Sequence, residues 1–280
     1  MRRISRPVWI VIFTISLIVL LGGTFFLFRY LTEKDRPVTR EELSQTVSDS
    51  ATTPQESTAT EPATTKPTEK PINSFGYAMD EYDDWEELNF DRLMQINPDI
   101  YAWIYIPDTN VDYPVAQSSN NDDSFYLSHN IYKDYQFSGT IYSEVKNSKE
   151  FDDPVTVLYG HNMLNGSMFA TLHYFTDPEF FEEHTTCFVL TKDKIYTYLI
   201  YSAYIYDDRH ILNSFNFTDE DVFRSYLEST LNPRTYNGNV RDGVKLDEKS
   251  RILTLSTCTN GVSDTRYLVQ GVLVNEQLRK

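Results

Sequence analysis

Three stretches of the chain differ in how apolar and polar residues follow one another. Residues 8–28 are uncharged and mostly apolar, residues 37–71 are rich in Thr, Ser, Pro and Glu, and short apolar runs alternate with polar turns thereafter. A helix over residues 8–28 would be about 30 Å long, the thickness of a hydrocarbon core. The pattern predicts a cytoplasmic tail over 1–7, a transmembrane anchor over 8–28, an extracellular linker over 29–73 and a folded domain over 74–280.

The charges on either side orient the predicted anchor. Arg2, Arg3 and Arg6 precede it, whereas the positive residues beyond it are interleaved with Glu33 and Asp35. Positive residues close to a span favour the cytoplasmic side, so we expect a single-pass cell-membrane protein with an extracellular domain. A cleaved signal peptide is the alternative, but its apolar region is usually shorter and ends at a small-residue site, which this sequence lacks.

The folded domain is predicted to be mainly β. Short β-branched or aromatic runs between Asp, Asn, Gly and Pro are typical of strands, and they occur at 101–106, 111–116, 139–143, 155–159, 186–191, 194–206, 251–258 and 267–274. Helical patterns are fewer: one short helix ends before Asn97, two follow at 168–175 and 179–184, and Thr218 is the expected N-cap of a helix through Leu231. Many short strands with few helices favour a closed or nearly closed β-barrel.

Composition and charge narrow the classes of function. The formal net charge of -16 argues against a nucleic-acid-binding face, which needs clustered Lys and Arg to neutralise phosphates. The linker holds too few apolar residues to offset the entropy of ordering, so it is expected to be a disordered tether. No zinc-ligand spacing is present in the sequence, and we predict neither a metal nor a cofactor.

Cys258 is the first candidate for chemistry, because it lies at the C-terminal end of the predicted strand 251–258. A strand end holds a thiol rigidly and leaves it open to a substrate. The second cysteine, Cys187, lies within an apolar strand, where a small side chain can fill the core without reacting. Two cysteines outside a cell can instead form a disulfide, and that alternative stays open.

Two more residues complete a candidate site. His161 follows strand 155–159 after a glycine, and imidazole is the usual acid or base partner of a thiol. Arg266 opens the strand after Cys258, so a hairpin would return it beside the cysteine, where a guanidinium can hold a substrate carbonyl or an oxyanion. The remaining histidines are expected to be structural: His129, His173, His184 and His210.

Taken together, these segments resemble the sortase family, in which a T-L-x-T-C strand, a distant histidine and a downstream arginine form the site. The resemblance runs from about Asn97 to Val274 and is clearest to class B sortases. The matching phrases are Thr254-Leu-Ser-Thr-Cys258, Tyr159-Gly-His-Asn-Met163, Tyr101-Ala-Trp-Ile-Tyr-Ile-Pro107, Val111-Asp-Tyr-Pro-Val115 and Gly139-Thr-Ile-Tyr142.

The resemblance implies a closed eight-stranded barrel and a Gram-positive cell-wall transpeptidase. Cys258 would attack a sorting signal of a secreted protein, His161 would protonate the leaving amine, and Arg266 would steady the substrate and oxyanion. An amine of a peptidoglycan precursor or of a pilin would then resolve the thioester. The class suggests an N-P-x-T-x signal.

Two departures from the class pattern affect the expected site. Cys258 and Arg266 lie closer together than in many class B members, and no role is assigned to Asn121 or Asp123 where the family often has an asparagine. Two other functions stay open: an extracellular thiol endopeptidase, and a non-catalytic tethered binding module with a Cys187–Cys258 disulfide.

Overall fold

The computed structural model describes residues 13–14, 16–24, 37–38, 40, 43, 70–81, 88–235, 238–259 and 264–279. The chain divides into two compact units, residues 1–36 and 37–280. In the first unit, the described residues between 13 and 24 are helical. No helix in the described parts of the chain is both long and apolar enough to cross a membrane. Most of the linker and parts of the anchor lie outside the described residues, so both stay predictions.

The described part of the second unit is built mainly from strands. These are β1 Ile100–Tyr105, β2 Asp112–Ala116, β3 Ile141–Tyr142, β4 Val155–Tyr159, β5 Thr186–Thr191, β6 Lys194–Asp207, β7 Asn239–Val240, β8 Ile252–Cys258 and β9 Thr265–Leu278. The helices are α1 Phe90–Ile96, α2 Pro178–Glu183, α3 Ile211–Ser214 and α4 Glu220–Leu231, with 3-10 helices at Phe125–Leu127 and Ala170–Thr176.

Eight of these strands close into a barrel. Their order is β5-β1-β2-β3-β4-β8-β9-β6, and β6 pairs back onto β5. The pairs β2–β3 and β4–β8 are parallel and the others are antiparallel, so the barrel is mixed, and β7 extends the sheet beside β6. The predicted closed eight-stranded barrel is confirmed, and β4, β8 and β9 lie side by side within it.

Apolar residues pack against both faces of the barrel sheet. On β8, Leu253 and Leu255 belong to the interior core, whereas Ile252 belongs to an outer core beneath α4. Helix α4 contributes Phe223 and Tyr226, among others, to that outer core. Six of the seven residues of β8 are buried between these two cores, so the end of the strand is held firmly.

Several predicted boundaries match and others do not. Strands 155–159 and 186–191 have the bounds predicted, but β9 continues past 274 to Leu278, because its exposed polar end pairs with β6 down to Lys194. The predicted cap Thr218 is wrong by one residue. The Asp219 carboxylate accepts the backbone N–H groups of Asp221 and Val222 instead, because neighbouring capping residues look alike in sequence.

Candidate active site

One cleft on the barrel collects the predicted residues. It has a volume of about 330 Å³, and its lining includes Cys258, His161 and Arg266. Cys258 is the last residue of β8 and is exposed, in contrast to the six buried residues before it in that strand. The end of the strand therefore presents a thiol to solvent from a rigid support, as the sequence predicts.

Backbone pairing brings the other two residues to the same edge. Arg266 is the cross-strand partner of Cys258 in the β8–β9 ladder. Tyr159 pairs with Ser256, and the N–H of Gly160 donates to the Ser256 carbonyl at 3.1 Å. His161 is the next residue, so it lies at the end of the β4–β8 ladder. We call His161, Cys258 and Arg266 the strand-end group.

Glycine at position 160 is required by close packing. A Cβ there would lie 2.5 Å from Ile141 Cδ1 and 2.7 Å from Phe169 Cδ2. These distances are far below ordinary contact, so a larger residue would have to displace the side chain of Ile141 or Phe169. Close packing beside the site therefore favours glycine at this position.

The ring of His161 is oriented by a loop that the sequence did not single out. Its Nε2 lies 2.8 Å from the carbonyl oxygen of Leu127, and the ring stacks on Phe137 with centroids 5.2 Å apart. Because a carbonyl only accepts, Nε2 carries the proton in this contact. In the neutral ring, Nδ1 then keeps its lone pair, which is the state that a base requires.

A buried network fixes the turn that supplies this carbonyl. The hydroxyl of Tyr126 donates to the carboxylate of Asp99 at 2.7 Å, and Lys133 forms an ion pair with the same carboxylate at 2.9 Å. Gly139 passes so near that a Cβ would lie 2.4 Å from the Tyr126 carbonyl and 2.6 Å from that of Leu127. The position of the Leu127 carbonyl is therefore set by packing on both sides.

The opposite wall of the cleft rests on a hydrogen bond between His210 and Glu144. His210 Nε2 lies 2.6 Å from Glu144 Oε1, and the backbone N–H of Asn213 donates to His210 Nδ1 at 3.2 Å. Nδ1 therefore accepts, and Nε2 carries the proton that it donates to the carboxylate. This contact ties α3 to the loop after β3. We call Leu127, Glu144 and His210 the loop wall.

Two tyrosines lie behind the strand-end group. Tyr142 and Tyr159 both line the cleft and stack with centroids 5.4 Å apart. Burial, reinforced by the nearby Glu144 carboxylate, raises the pKa of each phenol. Both therefore stay neutral at physiological pH and offer the cleft a rigid, uncharged surface.

The second cysteine has no part in the cleft. Cys187 is buried in the barrel interior, Cys258 is exposed, and both are free thiols. Burial raises the pKa of the Cys187 thiol, which keeps it protonated and unreactive. The disulfide on which the binding-module alternative depends is absent from the structure.

Sequence reasoning missed the residues that surround the predicted three. His210 and His173 were both expected to be structural, yet His210 lines the cleft and His173 Nε2 lies 3.0 Å from the carbonyl oxygen of Cys258. Asp123, to which no role was assigned, accepts the backbone N–H of Val145 at 2.8 Å. These contacts join residues that are far apart in the sequence. The residues next to a single histidine or aspartate therefore give no indication of its partner.

Comparison with known proteins gives one consistent result. The family model described as Sortase domain matches residues 104–274. Sortase B of Listeria monocytogenes is 34% identical over 186 residues, which cover 66% of this chain and 73% of that protein.

Solved structures agree with this match. Sortase B of Clostridium perfringens is 33% identical with a TM-score of 0.58, over 67% of this chain and 100% of that one. A class B sortase of Streptococcus pyogenes involved in pilus biogenesis is 27% identical with a TM-score of 0.57, over 66% of this chain and 98% of that one.

Proposed function

The chain belongs to the sortase family of cysteine transpeptidases, and from that premise we propose that Cys258 is the nucleophile that cleaves C-terminal sorting signals of secreted proteins. The observation that carries the proposal is the strand-end group: an exposed free thiol, an oriented imidazole and a guanidinium lining one cleft. Each supplies a different part of an acyl transfer.

The first half of the reaction forms a thioester. The proton of the Cys258 thiol passes to His161 Nδ1, the sulfur attacks a backbone carbonyl carbon, and the carbonyl π electrons move to its oxygen as an oxyanion. When the tetrahedral intermediate collapses, the C–N bond breaks and the amine leaves with a proton from His161. The Leu127 carbonyl keeps the imidazole turned for this transfer throughout.

Arg266 stabilises the charge that develops on the oxygen. Its cross-strand pairing with Cys258 in the β8–β9 ladder, and its place in the lining of the same cleft, support this role. A fixed charge in a partly desolvated cleft stabilises an oxyanion more than the neutral carbonyl, so the effect falls on the transition state.

The second half transfers the acyl group to an amine. An amine of a peptidoglycan precursor or of a pilin attacks the thioester carbonyl, gives up its proton to His161, and releases the Cys258 thiolate. One amide replaces another, so the exchanged peptide bond supplies the free energy. The pilus role named for the Streptococcus pyogenes protein supports keeping a pilin amine among the candidate acceptors.

The setting that we propose is the outer face of the cell membrane. The apolar run over residues 8–28 would anchor the chain, and the linker over 29–73 would carry the domain away from the bilayer. Secreted substrates and cell-wall acceptors are both found on that side, which is where such a reaction has a use.

Mass spectrometry tests the proposal directly. Incubation with a peptide carrying an N-P-x-T-x signal should add the mass of the acyl fragment to Cys258. Cys258→Ala should abolish this adduct, whereas Cys187→Ala should retain it because Cys187 is buried away from the cleft. An adduct that persists in Cys258→Ala would refute the assignment of the nucleophile.

The rival activity is a thiol endopeptidase, in which water resolves the thioester. Product analysis with lysine-bearing and glycine-bearing acceptors separates the two. A transpeptidase converts the peptide to an amide of the acceptor, whereas an endopeptidase releases the same acid whether or not an amine is present.

A further inference from the structure

The carbonyl group of Cys258 is contacted by two side-chain nitrogens. Asn162 Nδ2 and His173 Nε2 each lie 3.0 Å from its oxygen, and the two nitrogens are 3.1 Å from each other. Asn162 belongs to the loop after β4, and His173 belongs to the 3-10 helix Ala170–Thr176. Two side chains that lie 96 and 85 residues before Cys258 in the sequence therefore converge on the backbone of the proposed nucleophile.

The position of this carbonyl explains why side chains bind it. Cys258 is the last residue of β8, so the peptide group between Cys258 and Thr259 lies at the point where the chain leaves the strand. A carbonyl at such a point needs a donor from elsewhere. Because the direction of the Cα–Cβ bond of Cys258 follows from the backbone, holding this peptide group also restricts where the thiol can point.

The protonation state of His173 follows from its surroundings. The ring is half-buried, and burial lowers its pKa although the Cys258 carbonyl acts in the opposite direction. A neutral ring has one N–H, and a carbonyl only accepts, so the 3.0 Å contact requires the proton on Nε2. Asn162 Nδ2 is likewise a donor, and one carbonyl oxygen can accept from both.

The ring of His173 is itself held in place. It stacks on Tyr267 with centroids 4.7 Å apart and planes inclined by 27°. Tyr267 is the cross-strand partner of Thr257, the residue before the nucleophile. A bridge between Asn162 and Met168 fixes the loop on the other side. Both donors are thus supported independently of the carbonyl that they bind.

We propose that Asn162 and His173 are positioning residues, which together hold the Cys258 peptide group so that the thiol points into the cleft. The proposal rests on the proposed function, since it assumes that the Cys258 thiol is the group that must be aimed. Neither side chain touches the reacting atoms, so removing a donor should slow acylation and leave peptide binding nearly unchanged.

Two substitutions at His173 separate the donor from the stacking ring. His173→Phe keeps an aromatic ring on Tyr267 and removes the N–H, whereas His173→Gln gives up the ring and keeps an N–H at a similar reach. We expect kcat for acylation to fall about tenfold in His173→Phe, since one hydrogen bond is worth about that factor, with KM within about twofold. His173→Gln should recover most of the rate.

The opposite order of the two variants would overturn the proposal. If His173→Phe is as active as the wild type, or if His173→Gln is the slower variant, the ring acts by packing alone. Asn162→Ala tests the same oxygen from the other element and should also lower kcat by about tenfold. Should His173→Phe fail to fold, an unchanged kcat in Asn162→Ala would overturn the proposal by itself.

Nuclear magnetic resonance tests the contact without any substrate. With 15N- and 13C-labelled protein, a scalar coupling across the hydrogen bond should join His173 Nε2 to the carbonyl carbon of Cys258. A His173 ring protonated on Nδ1, with Nε2 accepting from Asn162, would overturn the assignment. If the coupling is present but no sorting peptide acylates the enzyme, the proposed function fails while the contact stands, so the two failures are distinguishable.

Discussion

The two sides of the cleft are built differently. The strand-end group is carried by β4, β8 and β9, three neighbouring strands of the barrel, and its places follow from continuous backbone ladders. The loop wall comes from three separate connections, and a few side-chain contacts hold it, such as the Glu144–His210 pair.

The comparison indicates which side of the cleft is rigid enough to carry the reacting groups and which side can adjust. Many hydrogen bonds and two apolar cores hold the strand ladder, so one surface substitution hardly moves it. The Glu144–His210 part of the wall is held by one hydrogen bond and depends on it. Replacing a strand-end residue should therefore change the chemical step alone. Replacing a wall residue should change how the substrate fits or how the imidazole is oriented.

The largest effect is expected at the strand-end group. His161→Gln removes the titratable ring, and Arg266→Lys keeps the charge but loses the planar fork. We expect kcat/KM to fall by about 10²–10⁴ in either variant, the range typical of losing an acid–base group or an oxyanion donor. The melting temperature should stay within a few degrees of the wild type. Unchanged kinetics in either variant would remove that residue from the mechanism.

The same difference explains what could be predicted from sequence. Cys258, His161 and Arg266 each end or open an apolar run, so local pattern and family resemblance both locate them. Leu127 could not be predicted, because it contributes a backbone carbonyl that any residue type offers. His210 could not be predicted either, because its partner Glu144 is distant in sequence and only the closed barrel brings them together.

Gly139 tests the turn that orients His161. Its φ of 61° is in the left-handed region, and a Cβ there would meet the carbonyls of Tyr126 and Leu127. Gly139→Ala should shift the Leu127 carbonyl, reduce kcat/KM by about tenfold or more through the lost hydrogen bond to His161, and cost about 1–3 kcal/mol of stability. Kinetics and denaturant unfolding measure the two effects.

Gly243→Ala is the matched control for this substitution. Gly243 also has a positive φ, of 77°, but no atom lies within 4 Å of where its Cβ would be. The control should lose about 1 kcal/mol from backbone strain alone and keep full activity. Equal kinetics in the two variants would mean that the Leu127 carbonyl does not orient the ring of His161.

The Glu144–His210 pair tests the opposite wall. His210→Ala removes both the donor to the Glu144 carboxylate and the ring nitrogen that accepts from Asn213, so α3 should loosen from the loop after β3. We expect KM for the sorting peptide to rise about three- to tenfold with kcat nearly unchanged, the cost of about one hydrogen bond to a charged group. Steady-state kinetics at fixed ionic strength measure the split.

An exposed ion pair elsewhere provides the control for the wall. Arg224 on α4 pairs with Glu248 at 2.7 Å, and neither residue lines the cleft. Exposed pairs contribute about 0–1 kcal/mol, so Arg224→Ala should alter neither KM nor kcat. A fall in kcat, rather than a rise in KM, for His210→Ala would place that histidine with the chemical step instead of the wall.

The smallest effect is expected beneath the wall, at Asp99. Burial acts to raise the pKa of this carboxyl, but hydrogen bonds from Lys133, Tyr126 and Ser119 together outweigh it, and the net pKa lies below the ordinary value. A folded-state pKa below the unfolded one adds stability above the unfolded pKa, and that stability is lost as the pH falls through the folded value.

Asp99→Asn should therefore melt at a lower temperature than the wild type at pH 7, and the gap between the two melting temperatures should narrow below about pH 4. At neutral pH the variant should keep most of its activity, because Gly139 still supports the turn from the other side. Thermal melts between pH 7 and pH 2.5 measure the gap, and one that stays constant over this range would show that the carboxylate charge contributes nothing to holding the turn.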